Sequence, residues 1–186
     1  MASANDARME TILGKVDYMA GVLQPIFGKN RVLYFRKLGD AEAGAKLAMQ
    51  TEHTWSYERS IDSTQTKDGA VSSDGGLETT LEINALSSND EVNRLLKDSV
   101  VEGFKLEVWD VDLTQQESDN QFPAIYAQGL LDSWEIPAPN DGPVEISTSM
   151  IVDAKPVEGK VTVTKEDQAA IQYAFKDLIA EAGGAG

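Results

Sequence analysis

The sequence predicts an α+β chain that is mostly β: an antiparallel β-sandwich or open barrel with a packed α-helix, a C-terminal helix and an N-terminal arm. Three observations predict it. Apolar and polar residues alternate with period two in several separate stretches, as half-buried strands require. One stretch, 88–103, switches to the 3.6-residue period of an amphipathic helix. No βαβ repeat links the strands, so their connections suit antiparallel neighbours.

Residues 1–27 read as the arm. Met9, Ile12, Leu13, Val16, Met19, Ala20 and Leu23 recur at helical spacing. Asn5 or Asp6 can cap that helix and Pro25 ends it, while Gly14 and Gly21 weaken it. Such an arm is expected to gain order against a partner, through Ile12, Leu13, Val16 and Leu23. Residues 28–182 form the main domain, and 183–186 a frayed, disordered tail.

Within that domain RVLYFRKL (31–38) is the first strand and GDAEAG (39–44) a turn. From Leu47 the odd positions Leu47, Met49, Thr51, His53, Trp55 and Tyr57 alternate with Ala48, Gln50, Glu52, Thr54, Ser56 and Glu58. The odd set is expected to be buried or half-buried. From Arg59 to Gly76 the only large apolar residues are Ile61 and Val71. This stretch cannot fill a core. It reads as a long loop, 62–76, or a protruding hairpin, with Asp68-Gly69 and Asp74-Gly75-Gly76 as turn signals.

Alternation returns with Leu77, Thr79, Leu81, Ile83 and Ala85 on one side and Glu78, Thr80, Glu82 and Asn84 on the other. Ser88 with Glu91 reads as a capping box. Val92, Leu95, Leu96 and Val100 make an apolar helical stripe, and Gly103 stops it. FKLEVWDVDL, FPAIYAQGLLDSWEI with Gly129 as a bulge position, VEISTSMIV and the short GKVTVT are further strands. Thr164 is placed to cap the last helix, whose apolar face holds Ile171, Phe175, Leu178 and Ile179.

The chemistry is chiefly one of exclusions. The chain holds 31 acidic and 16 basic residues, a net charge of −15, and no cysteine. Disulfides, thiolate metal sites and a cysteine nucleophile are excluded. A basic nucleic-acid reader does not fit, because phosphate neutralisation needs Lys and Arg. One histidine, His53, excludes histidine-based zinc sites, and as a general base it has no nucleophile motif beside it. Asp110 and Asp112 lie two apart and are weighed as a cation pair against a solvated acidic face. Neither GxGxxG nor GK[ST] is present. Trp55, Trp109 and Trp134 read as core or interface residues. No catalytic site, cofactor or metal is expected, and no run of consecutive apolar residues has the length of a membrane span.

The runs QTEHTWSYERSIDSTQTKDG, KLEVWDVDL and YAQGLLDSWE, within four-fifths of the chain, resemble the major tail protein (tail tube protein) family of long non-contractile-tailed bacteriophages. The resemblance implies the phage tail tube fold and a structural virion protein, not an enzyme, made in the host cytoplasm. It implies hexameric rings that stack into a hollow tube, with the tape-measure protein inside, terminator and tail-tip proteins at the ends, and double-stranded DNA passing through without specific binding. A tube or ring protein of a contractile injection or secretion system is the alternative. On this reading Asp62, Ser63, Thr64, Gln65, Thr66, Lys67, Asp68, Val71 and Asp74 are the inter-ring segment. Either Glu78 and Glu82 or Glu52 and Glu58 face the channel.

Overall fold

In the computed structural model, which describes residues 28–116 and 120–164, a 3-10 turn at Gly28–Asn30 leads into the first strand. The elements are β1 (Arg31–Lys37), β2 (Ala45–Lys46), β3 (Gln50–Thr66), β4 (Gly69–Leu86), α1 (Glu91–Glu102), β5 (Leu106–Asp112), β6 (Gln121–Glu135), β7 (Glu145–Val152) and β8 (Val157–Thr162). The arm 1–27 with Ile12, Leu13, Val16 and Leu23, the helix expected after Thr164, and the tail 183–186 lie outside the described residues.

Strands pair antiparallel in the order β2-β1-β5-β6-β7-β4-β3, and β8 also pairs with β6. The long β6 joins two halves. Its first half pairs with β8, and its second half, from Gly129 to Glu135, pairs with β7 along the same edge. β5 holds the other edge only from Ala124 to Gly129. Among the described residues, the 130–135 edge opposite β7 therefore has no partner strand.

The main core lies where the two halves fold over one another. Leu33, Phe35, Leu81, Ile83, Ala85, Leu106, Val108, Leu131, Ile146 and Met150 are buried together. Helix α1 adds Val92 and Leu96, with Leu95 and Val100 packed beside them. A second cluster, on the reverse of β1 and β5, holds Val32, Tyr34, Val111, Leu113, Phe122, Ala124 and Val163.

Three local expectations change. The N-cap of α1 is Asp90, not Ser88. The Asp90 carboxylate accepts the Asn93 N–H at 2.7 Å, while Ser88 Oγ donates to Asp90 and accepts from the Asn93 side chain at 2.9 Å. A carboxylate suits the positive helix end, and Glu91, as the first helical residue, is too close to complete a box. Gly103 does stop the helix, at φ 74°, with its N–H bonded to the Ser99 carbonyl. Gly129 is not the bulge: a Cβ there would lie 2.1 Å from the Ile151 carbonyl oxygen, so it permits close strand approach. The irregularity falls between Leu131 and Ser133. Finally, the buried row holds only at Leu47, His53 and Trp55, since Met49, Thr51 and Tyr57 are exposed. Met49 takes φ 52° and is 61% exposed, turning the chain before β3 begins.

The stretch 62–76 forms the outer end of the β3–β4 hairpin. Pairing continues without a loop to Thr66 opposite Gly69. Thr66 Oγ closes the turn by donating to the Gly69 carbonyl at 2.7 Å and accepting the Asp68 N–H at 3.3 Å. Alternation of hydrophobicity vanishes here because neither face is buried in the subunit.

Candidate functional site

Two features stand outside the core: the outward face of β3, β4 and β7, and the hairpin that extends from it. Strand pairing decides the face. Thr54 sits opposite Glu82, Ser56 opposite Thr80, and Glu58 opposite Glu78. Between them His53, Trp55 and Tyr57 pair with Ile83, Leu81 and Thr79 on the core side. Glu52 is opposite Asn84, so all four glutamates named from the sequence share one face. The either-or of Glu52 and Glu58 against Glu78 and Glu82 disappears. A helix-like count cannot foresee this, because the register of two strands depends on their hairpin.

β7 extends the surface, with Ser149 beside Glu82, Ser147 beside Asn84 and Glu145 beside Leu86. These rows hold carboxylates, hydroxyls and an amide beside the apolar Leu86 and Ile151, with no Lys or Arg. The face is therefore wet and anionic.

The hairpin leaves the body beyond Ser60, since β7 supports β4 only from Thr80 onward. A bulge between Ser60 and Ile61 marks the departure. Gly75 belongs there: a Cβ would sit 2.9 Å from Ser60 Cβ and Oγ. Gly76 follows at φ 115°, which side chains with Cβ resist. Asp74 pairs with Arg59 and accepts the Gly76 N–H at 2.9 Å. Six residues from Ile61 to Thr66 project by about 20 Å at strand rise. Asp62, Ser63, Thr64, Gln65, Thr66, Lys67, Asp68, Val71 and Asp74 all lie on this projection and are exposed. Ile61 is 66% and Val71 58% exposed, on opposite faces by pairing.

The inner end of β3 is fastened by two devices that the sequence did not disclose. Gln50 uses its side-chain amide as a strand would use its backbone. Oε1 accepts the Leu33 N–H at 3.1 Å, and Nε2 donates to the carbonyls of Leu33 at 3.2 Å and Leu47 at 2.9 Å. The second device is Asp110, buried on β5. Its carboxylate receives Trp55 Nε1 at 2.8 Å, meets His53 Nε2 at 3.2 Å, and pairs with Arg31, whose Nε lies 3.2 Å away. Burial pushes the Asp110 carboxyl up, but the His53 hydrogen bond and the charges of His53 and Arg31 outweigh it and hold the pKa below the ordinary carboxylate range.

Asp110 is thus a structural hub. Asp112 accepts from the Thr114 N–H at 2.9 Å, while the Asp110 carboxylate is taken up by Trp55, His53 and Arg31. His53 serves the hub too, not a nucleophile. On the reverse face Glu107 binds Arg36 at 2.7 Å and Tyr126 at 2.6 Å, with Arg36 over the Trp109 ring. No group of three His, Asp or Glu among the described residues is placed to hold a metal.

A family model described as phage tail tube protein matches residues 25–158, which spans every strand as far as the start of β8. The chain belongs to the phage tail tube protein family. It is a structural component of a phage tail, within the virion. This tail tube protein is 29% identical to a putative tail protein of Staphylococcus phage phiMR25, over 80% of each chain. It is 27% identical to the tail tube protein of Bacillus phage SPP1, over 77% of this chain and 55% of that one.

The solved SPP1 tail tube has the same fold, with a TM-score of 0.69 at 21% identity, over 87% of this chain and 96% of that one. The tail of a gene transfer agent particle follows, with a TM-score of 0.56 at 10% identity, covering 73% and 98%. A sheath/tube terminator structure of a contractile injection system gives 0.52 at 8% identity, covering 74% and 99%. The fold is therefore shared by a phage tail tube, a gene transfer agent tail and a contractile injection system. The mostly β architecture, with one packed helix among the described residues, agrees with the sequence expectation.

Proposed function

We propose that this tail tube protein closes into hexameric rings with the outward face of β3, β4 and β7 toward a central bore. The rings stack into the conduit through which double-stranded DNA leaves the particle. The observation that carries this is the cation-free face with Glu52, Glu58, Glu78 and Glu82 exposed on it. Phosphates approaching such a wall are repelled, so the polymer slides without adhering. At physiological salt the effect reaches about 8 Å, which suits a narrow channel.

Ring closure has its edges ready. β3 is the outermost strand on one side, and the unpartnered 130–135 edge of β6 bounds the same half-sheet on the other. Pairing one with its neighbour's counterpart removes two adhesive edges per subunit. The hairpin then reaches the adjoining ring, and the arm 1–27 buries Ile12, Leu13, Val16 and Leu23 on a neighbour. The tape-measure protein occupies the bore during assembly in the host cytoplasm, and terminator and tail-tip proteins close the ends. The role is architectural, with no cofactor and no turnover.

Reversal of Glu52, Glu58, Glu78 and Glu82 to Lys tests the bore. Tubes should still form, and DNA ejection should slow or stop. Ejection at the normal rate would exclude these residues from the channel. The 0.52 TM-score to a contractile system keeps one rival reading, a tube held inside a sheath. Electron microscopy of native particles separates the two by the presence or absence of that sheath.

A further inference from the structure

We propose that the outer half of the hairpin, Ile61 to Asp74, docks in the cleft at the opposite end of β3 in a copy of this chain from the adjoining ring. The proposal rests on the tube reading and specifies which surface receives the hairpin.

Direction makes the first case. β3 runs for 17 residues, about 55 Å at strand rise. The hairpin tip stands at one end, and a cleft of about 810 Å³ opens at the other, where β1 and β3 part. Rings that stack head to tail repeat one heterologous contact, so the leading end of each copy must meet the trailing end of the next. Translation along β3 carries tip to cleft.

Chemistry makes the second. The cleft is walled by Lys29, Arg31, Lys46, Met49, Glu52 and His53, among others. Met49 offers an exposed apolar side chain held out by its left-handed backbone. The hairpin brings an exposed Val71, and Asp62 on the same face by pairing through Ser73 and Thr64. Val71 covers Met49, and Asp62 and Asp68 approach the two lysines. Among the described residues neither apolar group has cover, and the net charge differs in sign between the ends: Lys29, Arg31 and Lys46 against Glu52 at the cleft, and Asp62, Asp68 and Asp74 against Lys67 on the hairpin. Such a pattern favours stacking and disfavours tip-to-tip contact.

Lysine placement gives a test on the unaltered protein. Lys67 sits at the tip and Lys46 and Lys29 at the cleft, separated within one chain by the length of β3. A short amine-reactive linker cannot bridge that span inside a subunit. In assembled tubes, cross-linking mass spectrometry should join Lys67 to Lys46 or Lys29, and in unassembled subunits it should not. Because the chain has no cysteine, a Val71→Cys, Met49→Cys double variant supplies an independent probe. Oxidised tubes of the double variant should run as a covalent ladder that neither single variant gives. Tubes in which Lys67 joins other lysines, or in which both probes stay unlinked, overturn this docking site and leave the tube standing. Failure of the unaltered chain to form any tube with its tape-measure protein would instead overturn the reading beneath it.

Discussion

Glu58 and Glu78 stand directly opposite each other across the β3–β4 hairpin, both exposed, on a face without a cation. Like charges so placed destabilise a strand pair, by about 0.2–1 kcal/mol relative to neutral partners. The subunit therefore bears a local cost that its own folding does not require, and the proposed bore would account for it.

Glu58→Gln with Glu78→Gln should raise the melting temperature of the isolated subunit slightly, and most at low salt. Calorimetry at low and high salt checks this. A fall in stability would show that the two carboxylates have partners other than each other.

Asp110→Asn should destabilise by about 3 kcal/mol, toward the low end for breaking a buried ion pair, because Arg31 retains access to water. The pH dependence follows from the depressed native pKa. Above the unfolded value, about 3.9, the carboxylate contributes its full stabilisation; as pH falls through the lower native value, the contribution is lost. Urea denaturation at pH 7 and pH 3 should show the gap between Asp110→Asn and the unaltered chain shrinking in acid. A gap that widens in acid contradicts the hub.

Gln50→Ala should strand the N–H of Leu33, a residue with no exposed surface, at about 1–3 kcal/mol, while the Leu33 carbonyl keeps the Leu47 N–H. Gln50→Glu should fail to rescue, since a carboxylate accepts from the Leu33 N–H but cannot donate to two carbonyls. Hydrogen exchange at Leu33 reads the seam directly, and unchanged protection in Gln50→Ala would remove Gln50 from it.

Gly129→Ala should force β6 and β7 apart, because a Cβ would meet the Ile151 carbonyl at 2.1 Å. Overpacking usually costs about 1–3 kcal/mol, and here the obstacle is backbone that cannot rotate away. Ser133→Ala, at the true irregularity, should be mild by comparison. Reversed severities would return the bulge to Gly129.

The sequence by itself determined the strands, the helix and the acidic, cysteine-free character of this protein. Alternation at Leu77–Ala85 and the stripe Val92–Val100 are legible because one face is buried in the same subunit, and burial writes period two or 3.6 into the residues. The hairpin end carried no such record, since neither of its faces meets the subunit core, so 62–76 read equally as loop or hairpin. Only the tertiary structure decided that Glu52, Glu58, Glu78 and Glu82 share a face, that Gln50 mimics a strand against Leu33, and that Asp110 gathers Arg31, His53 and Trp55. Each of these joins residues far apart in the chain through strand register, and register is set by hydrogen bonds between backbones that no single stretch of sequence specifies.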